Sequence, residues 1–476
     1  MSVSLSDFPL DILLELMKDL DLPDSSGCRK SLLFRADPSR TTNDSKTCIS
    51  CSIVLHSPSF WIYSLRRLEE VHQRLLPYPS GTDITTLPVE TLREAALHGY
   101  KLQKSWTADS LCPVSIRSFV VEPDSTGVCI LPIGGTHMFL AISDSRLACL
   151  SANSGECLGS YDLDQSVRWS YGSSPFFSAC LCFVGFASRS GNTLTLTLMV
   201  VDYFNPGAVI VAPRLSRTWI CPDELVIDVV VTEHTVGAVT FRRGINDGPV
   251  INYCRIAHPE TLHRLVLELD EYDPVTLSCL AIEGDFVVFA QNWGRSVQIK
   301  HAAAANTDTD TFKTHTAVHE ITPIGIDDHS VLLQGCHLTH PTHGILSVTL
   351  SDVEVELEPA GNWYETHRVL FWPAKYNLPT ADSDSVLTVR PVCWFEHTGY
   401  IDRIIVGSTG TSVVVIERNS FLLLQYVPEP IPRIDSRPML IPPEVLNSVE
   451  YWALDERLGV LYLVDSKNHV RVISFV

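Results

Sequence analysis

Two short clusters of the sequence hold residues that could bind a metal ion. Cys48 and Cys51 have the Cys-x-x-Cys spacing of zinc ligands and redox pairs. His337, His340 and His343 follow one another closely in a segment that a proline makes a loop. A structural zinc needs four ligands, and neither cluster has a second Cys or His pair at finger-like spacing. We therefore predict no metal and no cofactor, and we interpret the three histidines as surface imidazoles.

The motifs of nucleophilic and phosphate-binding sites are absent from the sequence. It contains no Gly-x-Ser-x-Gly, no Gly-x-x-x-x-Gly-Lys-Ser/Thr and no His-Glu-x-x-His. Gly134 and Gly135 are predicted to form a turn. They are not predicted to form a phosphate-binding loop, because no helix follows them. Asp and His residues are too scattered to nominate a catalytic triad. We predict that the protein is not an enzyme and has no catalytic residue.

Charge and hydropathy exclude several classes of partner. The chain has 476 residues, with 35 Lys and Arg against 55 Asp and Glu, for a formal net charge of −20. Nucleic acids and anionic membranes are bound mainly through Lys and Arg, so we predict neither as a partner. No basic leader and no run of ~18 apolar residues marks a secretion signal or a membrane span. We expect an intracellular protein, cytoplasmic or nuclear, whose 14 cysteines are reduced and mostly buried.

The first 112 residues have helical patterns. Apolar residues at helical spacing follow Pro9 and end near Leu20, with acidic residues in the first turn. A second helix is predicted from Ser57-Pro58, where Trp61 begins an apolar repeat, and a third from about Thr86 to Leu97. Residues 23–57 between the first two are polar and turn-like. Such short apolar helices must bury one face against another part of the protein.

This segment resembles an F-box, the module that binds the Skp-type adaptor of a cullin ubiquitin ligase. The resemblance rests on Phe8-Pro9-x-Asp-Ile-Leu-x-Glu-Leu16 and on the downstream Ser-Pro-Ser-Phe-Trp that ends at Trp61. Residues 23–57 depart from the F-box pattern. The helix near Leu87 and the β-rich sequence after it resemble fungal F-box proteins with a C-terminal propeller. The resemblance implies adaptor contacts at Phe8, Pro9, Leu10, Ile12, Leu13, Leu16 and Trp61.

From Ser115 onwards, short apolar runs alternate with turn residues, which is typical of an all-β domain. The predicted strands lie at 128–131, 138–142, 146–151, 193–201, 225–231, 237–241, 286–290, 331–333, 345–350, 401–406, 412–416 and 460–464. The run from Gly134 to Leu158 resembles one blade of a WD-repeat propeller that lacks the usual Trp-Asp and Gly-His pairs. Residues 454–472 give a second match. A tandem of two β-sandwiches is the alternative fold.

The predicted architecture is therefore mainly β, a WD-repeat-like β-propeller preceded by a small helical segment. We divide the chain into an F-box-like segment at 1–76, a helical linker at 77–112 and a propeller at 113–476. Repeats of ~40–50 residues give about seven blades, with six to eight possible. Ile116–Val121 is predicted to pair with the last blade and so to join the two ends of the β domain.

The expected function is substrate recognition in an SCF-type cullin ubiquitin ligase. The N-terminal helices would bind the adaptor, and the propeller would bind an unknown protein substrate. A propeller scaffold with a degenerate F-box and no ligase is the alternative, because residues 23–57 do not complete the box. A propeller enzyme, which would need clustered acidic or His side chains, is a third hypothesis.

Overall fold

The computed structural model describes most of the chain beyond residue 55. The described residues are 56–70, 76–79, 82–121, 127–163, 168–171, 176–177, 180–203, 209–220, 224–232, 235–242, 250–266, 277–283, 286–293, 296–303, 319–321, 332–338, 343–357, 363–377, 387–389, 393–398, 401–407, 412–417, 420–427, 433–445 and 449–476.

Two helices precede the strands. Helix α1 spans Pro58–Glu70 and helix α2 spans Val89–Trp106, with a 3₁₀ turn at Ile84–Thr86 between them. The predicted start of α1 is confirmed, whereas α2 begins at Val89, three residues after the predicted start at Thr86, and continues beyond the predicted end at Leu97. It does so because Leu102 and Trp106 extend the same apolar face and are buried there.

The rest of the described chain is mainly β and forms seven antiparallel sheets. Their strands are as follows. Sheet 1 contains β2 (Cys129–Ile133), β3 (Met138–Ile142), β4 (Arg146–Ser151) and β5 (Cys157–Asp162). Sheet 2 contains β6 (Arg168–Tyr171), β7 (Phe176–Phe177), β8 (Leu181–Ser190), β9 (Thr193–Asp202) and β10 (Ile210–Ile220). Sheet 3 contains β11 (Glu224–Val231), β12 (Thr235–Arg242), β13 (Val250–Arg255) and β14 (His258–Val266).

Four further sheets follow in chain order. Sheet 4 contains β15 (Leu277–Glu283), β16 (Phe286–Trp293), β17 (Ser296–Ala303) and β18 (His319–Ile321). Sheet 5 contains β19 (Leu332–Leu338), β20 (His343–Leu357), β21 (Trp363–Asn377), β22 (Leu387–Val389) and β23 (Cys393–Thr398). Sheet 6 contains β24 (Arg403–Val406), β25 (Ser412–Glu417), β26 (Ser420–Val427) and β27 (Arg433–Met439). Sheet 7 contains β28 (Val449–Asp455), β29 (Val460–Asp465), β30 (His469–Ser474) and the early strand β1 (Ser115–Val120).

Strand β1 joins the beginning of the β region to its end. It pairs antiparallel with β30, from Ser115 opposite Ser474 to Val120 opposite His469. The predicted pairing of residues 116–121 with the last strands is therefore confirmed. Since strands at a sheet edge leave backbone groups unpaired, this pairing covers the edge that β30 would otherwise expose.

Neighbouring sheets contact one another in chain order, and sheet 7 contacts sheet 1 through β28 and β2. Their facing sides are apolar. Leu140 of sheet 1 and Val184 of sheet 2 share one buried cluster, and Leu198 and Val236 share the next. Another cluster joins α2 to sheets 6 and 7, through Trp106, Val414 and other residues. The hydrophobic residues are thus spread over several layers between the sheets.

Candidate functional site

The helices meet the sheets at two turns, and these turns carry an unusual set of charged and imidazole side chains. One turn joins β2 to β3 in sheet 1 and the other joins β28 to β29 in sheet 7. We call this region the junction and define it by residues 76–79, His98, residues 134–137 and residues 455–459. It is the place where the described N-terminal part is fixed to the β region.

Arg457 connects the second turn to the segment between the helices. Its Nη1 donates to the carbonyl oxygens of Leu76 at 3.2 Å and Tyr78 at 3.3 Å. On α2, His98 Nε2 lies 3.2 Å from the carbonyl oxygen of Leu458. A carbonyl only accepts, so Nε2 carries the hydrogen in this contact. The turn therefore holds the helices by three hydrogen bonds to main-chain carbonyl groups.

Asp455 ties the two turns to each other. Its side chain is fully buried, and Oδ1 accepts from the backbone N–H groups of Arg457 at 2.9 Å and Leu458 at 3.2 Å. Oδ2 accepts from the N–H of Gly135 at 3.4 Å. Burial raises the pKa of Asp455 to about 6, and the three N–H donors and Arg457 limit that rise. One carboxyl group thus crosslinks sheet 7 to sheet 1.

Two glycines allow this close approach. Gly135 has φ +80°, and a Cβ there would lie 2.3 Å from the backbone carbon of Tyr78. Gly459 has φ +64°, and its Cβ would lie 2.3 Å from a methyl carbon of Leu102 on α2. Both positions need the left-handed conformation and the missing side chain. The prediction that residues 134 and 135 form a turn is confirmed.

A cleft of about 500 Å³ opens beside the junction, between residue 79, sheet 1 and sheet 2. Its lining mixes apolar, hydroxyl, amide, imidazole and carboxyl groups. The lining residues are Pro79, Thr136, His137, Met138, Ser151, Asn153, Glu156, Leu158, Cys180 and Tyr203. A cleft of this volume can hold a small molecule or a few residues of a polypeptide, since apolar contacts and hydrogen-bonding groups lie side by side.

Burial keeps several titratable groups in and near the cleft uncharged. Burial, and then the charge of Arg117, lowers the pKa of His137, so its imidazole is neutral near pH 7. Burial raises the pKa of the hydroxyl of Tyr203, which lines the cleft. Near Tyr203, burial raises the pKa of Cys149 to about 12 and also raises that of Cys182. The thiols and the phenol are therefore held in their uncharged forms, in which a thiol is a weak nucleophile, whereas the neutral imidazole of His137 can accept a hydrogen bond or a proton.

The adaptor-contact residues predicted from the sequence lie mostly outside the described residues. This holds for Phe8, Pro9, Leu10, Ile12, Leu13 and Leu16. Trp61 lies on α1, is 3% exposed, and meets Phe60 edge to face with ring centroids 4.8 Å apart. It belongs to the cluster that packs α1 against α2. Its role as an adaptor contact stays a prediction.

The two Cys and His clusters, for which we predict no metal, lie only partly within the described residues. Cys48, Cys51 and His340 lie outside the described residues. The predicted loop is wrong for two of the histidines: His337 is in β19 and His343 begins β20, because each pairs with a neighbouring strand. Among the side chains that the structure describes, no three His, Cys, Asp or Glu residues are grouped so that they could hold a metal ion.

Sequence reasoning missed the junction residues. Asp455, Glu456 and Arg457 form a charged run beside apolar residues, within the segment at 454–472 that gives the second blade match. The sequence would reveal their role only if it showed that the helical segment covers this turn and buries it. No periodicity predicts that cover, because His98 and Arg457 are far apart in the chain.

Comparison with known proteins gives matches among solved structures alone. No family model matches the chain, and no curated protein matches it. The chain is similar to the WD40 domain of SCAP from fission yeast, with 10% identity, a TM-score of 0.37, and coverage of 74% of this chain and 84% of that one. It is similar to a chain of the mitotic checkpoint complex, with 11% identity, a TM-score of 0.38, and coverage of 77% and 93%. It is also similar to the β-propeller domain of Nup133 from Vanderwaltozyma polyspora, with 10% identity, a TM-score of 0.40, and coverage of 75% and 97%.

Neither helix in the described part of the chain has the length and hydrophobicity that a bilayer crossing requires.

Proposed function

We infer that the seven sheets are the blades of a seven-bladed β-propeller. Most of them are built from consecutive antiparallel strands, as blades are. The first strands of sheets 3 to 7 contact one another in order, and that of sheet 7 contacts the first strand of sheet 1. Two β-sandwiches would combine their strands into four sheets, which this sheet order does not favour. The pairing of β1 with β30 supports closure at sheet 7.

We propose that the protein recruits a protein substrate to an SCF-type cullin ubiquitin ligase. The F-box-like pattern from Phe8 to Leu16 supports binding of the Skp-type adaptor. The observation that carries the proposal is the junction, because Arg457 and His98 fix the helical segment to the β region. A recruiting subunit holds its substrate near the ligase. The adaptor-binding segment must therefore be rigidly attached to the part that binds the substrate. The cleft beside the junction is the candidate contact for a polypeptide substrate.

Binding to a purified Skp-type adaptor tests the proposal. We expect the full-length protein to bind the adaptor, and the double substitution Leu13→Asp and Leu16→Asp to abolish binding, because charges cannot enter an apolar groove. Val114→Asp is the matched control, since Val114 is 69% exposed on the β region. Equal adaptor recovery with the wild type and the double variant, or no recovery at all, would refute adaptor binding.

A propeller scaffold without a ligase is the second candidate. It is favoured by residues 23–57, which do not match an F-box, and by the burial of Trp61 between α1 and α2. The adaptor-binding experiment separates the two functions. If the protein is a scaffold without a ligase, the folded protein does not bind the adaptor.

A further inference from the structure

The outermost strand of sheet 2 presents cationic side chains on an acidic protein. Strand β10 has 11 residues and pairs with β9, with a bulge between Pro213 and Leu215. Arg214, at the bulge, and Arg217, beyond it, are both exposed. Within the part of the chain that the structure describes, neither makes a hydrogen bond or an ion pair. Two guanidinium groups on this edge are therefore available to a partner.

Two more arginines, one from sheet 2 and one from sheet 3, contact Glu224 of sheet 3. Arg189 of β8 donates to the carbonyl oxygen of Glu224, and Arg264 of β14 donates to its Oε1 at 3.2 Å. Arg217 is close enough to this sheet to lower the pKa of Cys254, which burial raises. Arg189, Arg217 and Arg264 therefore flank one seam between sheets 2 and 3.

The carboxylate in this seam is already engaged. Glu224 is 6% exposed, and its Oε2 accepts a hydrogen bond of 2.6 Å from the hydroxyl of Thr240. Its Oε1 is held by Arg264, which itself remains 46% exposed. The exposed Glu260 lies on β14, and Asp202 stands opposite Ile210 at the far end of β10. Among the described residues near Arg214 and Arg217, positive charge is thus in excess.

The edge also offers apolar contacts. Ile220 is 79% exposed at one end of β10, and Ile210 is 60% exposed at the other. Trp219 is half-buried against the seam. Pro213 and the bulge interrupt the strand edge, which leaves Leu215–Ile220 as a regular stretch with an unpaired outer side among the described strands. Such an edge can accept an extended chain, with side chains alternating between apolar and charged contacts.

We propose that the β10 edge, together with Arg189 and Arg264, docks an extended acidic peptide segment of a protein partner. Charge complementarity identifies the occupant, because the molecule carries −20 overall and would repel an acidic segment elsewhere. The site goes beyond the proposed ligase function, since neither the adaptor nor the cleft takes part in it. Arg217 and Ile220 lie on opposite faces of β10, so the carboxylates of the segment would meet Arg217 on one face and its apolar residues would meet Ile220 on the other.

A direct binding measurement with a defined probe tests this site. The probe is a fluorescein-labelled peptide of the length of β10 that alternates valine and glutamate, and fluorescence anisotropy reports binding to the full-length protein. We expect saturable binding that weakens as salt rises, and binding roughly tenfold weaker for the double variant Arg214→Glu and Arg217→Glu. Arg66→Glu on α1 is the matched control and should leave binding unchanged, since Arg66 is exposed on another part of the molecule.

Three outcomes overturn the proposal. They are equal binding of a peptide with glutamine in place of glutamate, tighter binding of a single-stranded RNA than of the acidic peptide, and unchanged affinity in the double variant. Arg214→Glu alone serves as the second variant if the double substitution lowers the unfolding midpoint, because Arg214 is exposed at the bulge. Adaptor binding is measured on the same samples. Loss of peptide binding then counts against the β10 site alone, and loss of adaptor binding counts against the ligase proposal alone.

Discussion

Arg457 illustrates how a charged side chain can stabilise a contact between distant parts of a chain. It lies beside two carboxyl groups that are almost fully buried, those of Asp455 and Glu456. Its Nη1 donates to two carbonyl groups of the segment between the helices. A buried charge is tolerated when it is paired and hydrogen-bonded, and its removal leaves the partners unsatisfied.

Substitution of Arg457 by methionine keeps the aliphatic stem and removes the guanidinium group. We expect the free energy of unfolding to fall by about 2–4 kcal/mol, since two carbonyls and two carboxyl groups lose their cation. We also expect faster protease cleavage between residues 70 and 90, because the junction loosens. Chemical denaturation and limited proteolysis measure the two effects. Lys467→Met, in an exposed turn of the same sheet, should change neither; an equal loss in both variants would contradict the role of Arg457.

His98 predicts a dependence of stability on pH. Burial, followed by the nearby His137, lowers the pKa of His98 from 6.5 to about 4 in the folded protein. Below about pH 6.5 the imidazole of His98 is protonated in the unfolded chain but stays neutral in the folded protein. The free energy of unfolding therefore falls as the pH decreases from 6.5 to 4. Asp455, whose folded pKa is raised from 3.8 to about 6, acts in the opposite direction as the pH decreases from 6 to 3.8.

Substitution of His98 by glutamine measures how much His98 contributes to the pH dependence of the free energy of unfolding. The amide of glutamine can still donate to the carbonyl oxygen of Leu458, but it does not titrate. We expect the loss of stability between pH 7 and pH 5 to be smaller in the variant than in the wild type, with Asp455 and His137 acting equally in both. Urea denaturation at the two pH values measures the difference. His258→Gln, at an exposed position on β14, is the control, and an identical pH dependence of His98→Gln and wild type would disprove the assignment.

Individual strands show how far the sequence could predict the fold. The strands at 138–142 and 146–151 were predicted to the residue, because each is a continuous buried apolar run between turns. Outer strands such as β14 and β27 were missed. Their residues are mostly polar and mostly exposed or half-buried, so no apolar alternation marks them. They become strands because they pair with inner neighbours. The junction was missed for a related reason, since its contacts join residues several hundred positions apart.

Strand β1 makes the clearest prediction for a single element. Phe119 stacks on Phe139 of sheet 1 with ring centroids 5.9 Å apart, while Val120 beside it is 49% exposed. We expect Phe119→Ala to lower the free energy of unfolding by roughly 1–3 kcal/mol, and Val120→Ala to change it little. Hydrogen exchange in residues 469–474 should become faster in Phe119→Ala, because β30 loses a firmly held partner. Unchanged exchange there would show that β1 does not secure sheet 7.

A buried apolar cluster crosses the boundary between residues 112 and 113 that the sequence predicts between the helical linker and the propeller. Leu102 and Trp106 of α2 lie in the same buried cluster as Leu461 and Phe475 of sheet 7. Leu111 then bridges to Met439 at the edge of sheet 6 before the chain enters β1. A cut at residue 112 would therefore separate groups that share one cluster.

Truncation tests whether the β region folds without the helices. We expect residues 113–476 alone to be less stable than the full chain and prone to associate, because loss of α2 exposes Leu454, Leu461 and Phe475 to water. Thermal unfolding and size-exclusion chromatography measure both effects. Coexpression of residues 1–112 as a separate chain should restore the monomer, since the α2 face can repack on sheets 6 and 7. A stable monomeric fragment at 113–476 would instead establish that the boundary predicted from the sequence is a true domain boundary.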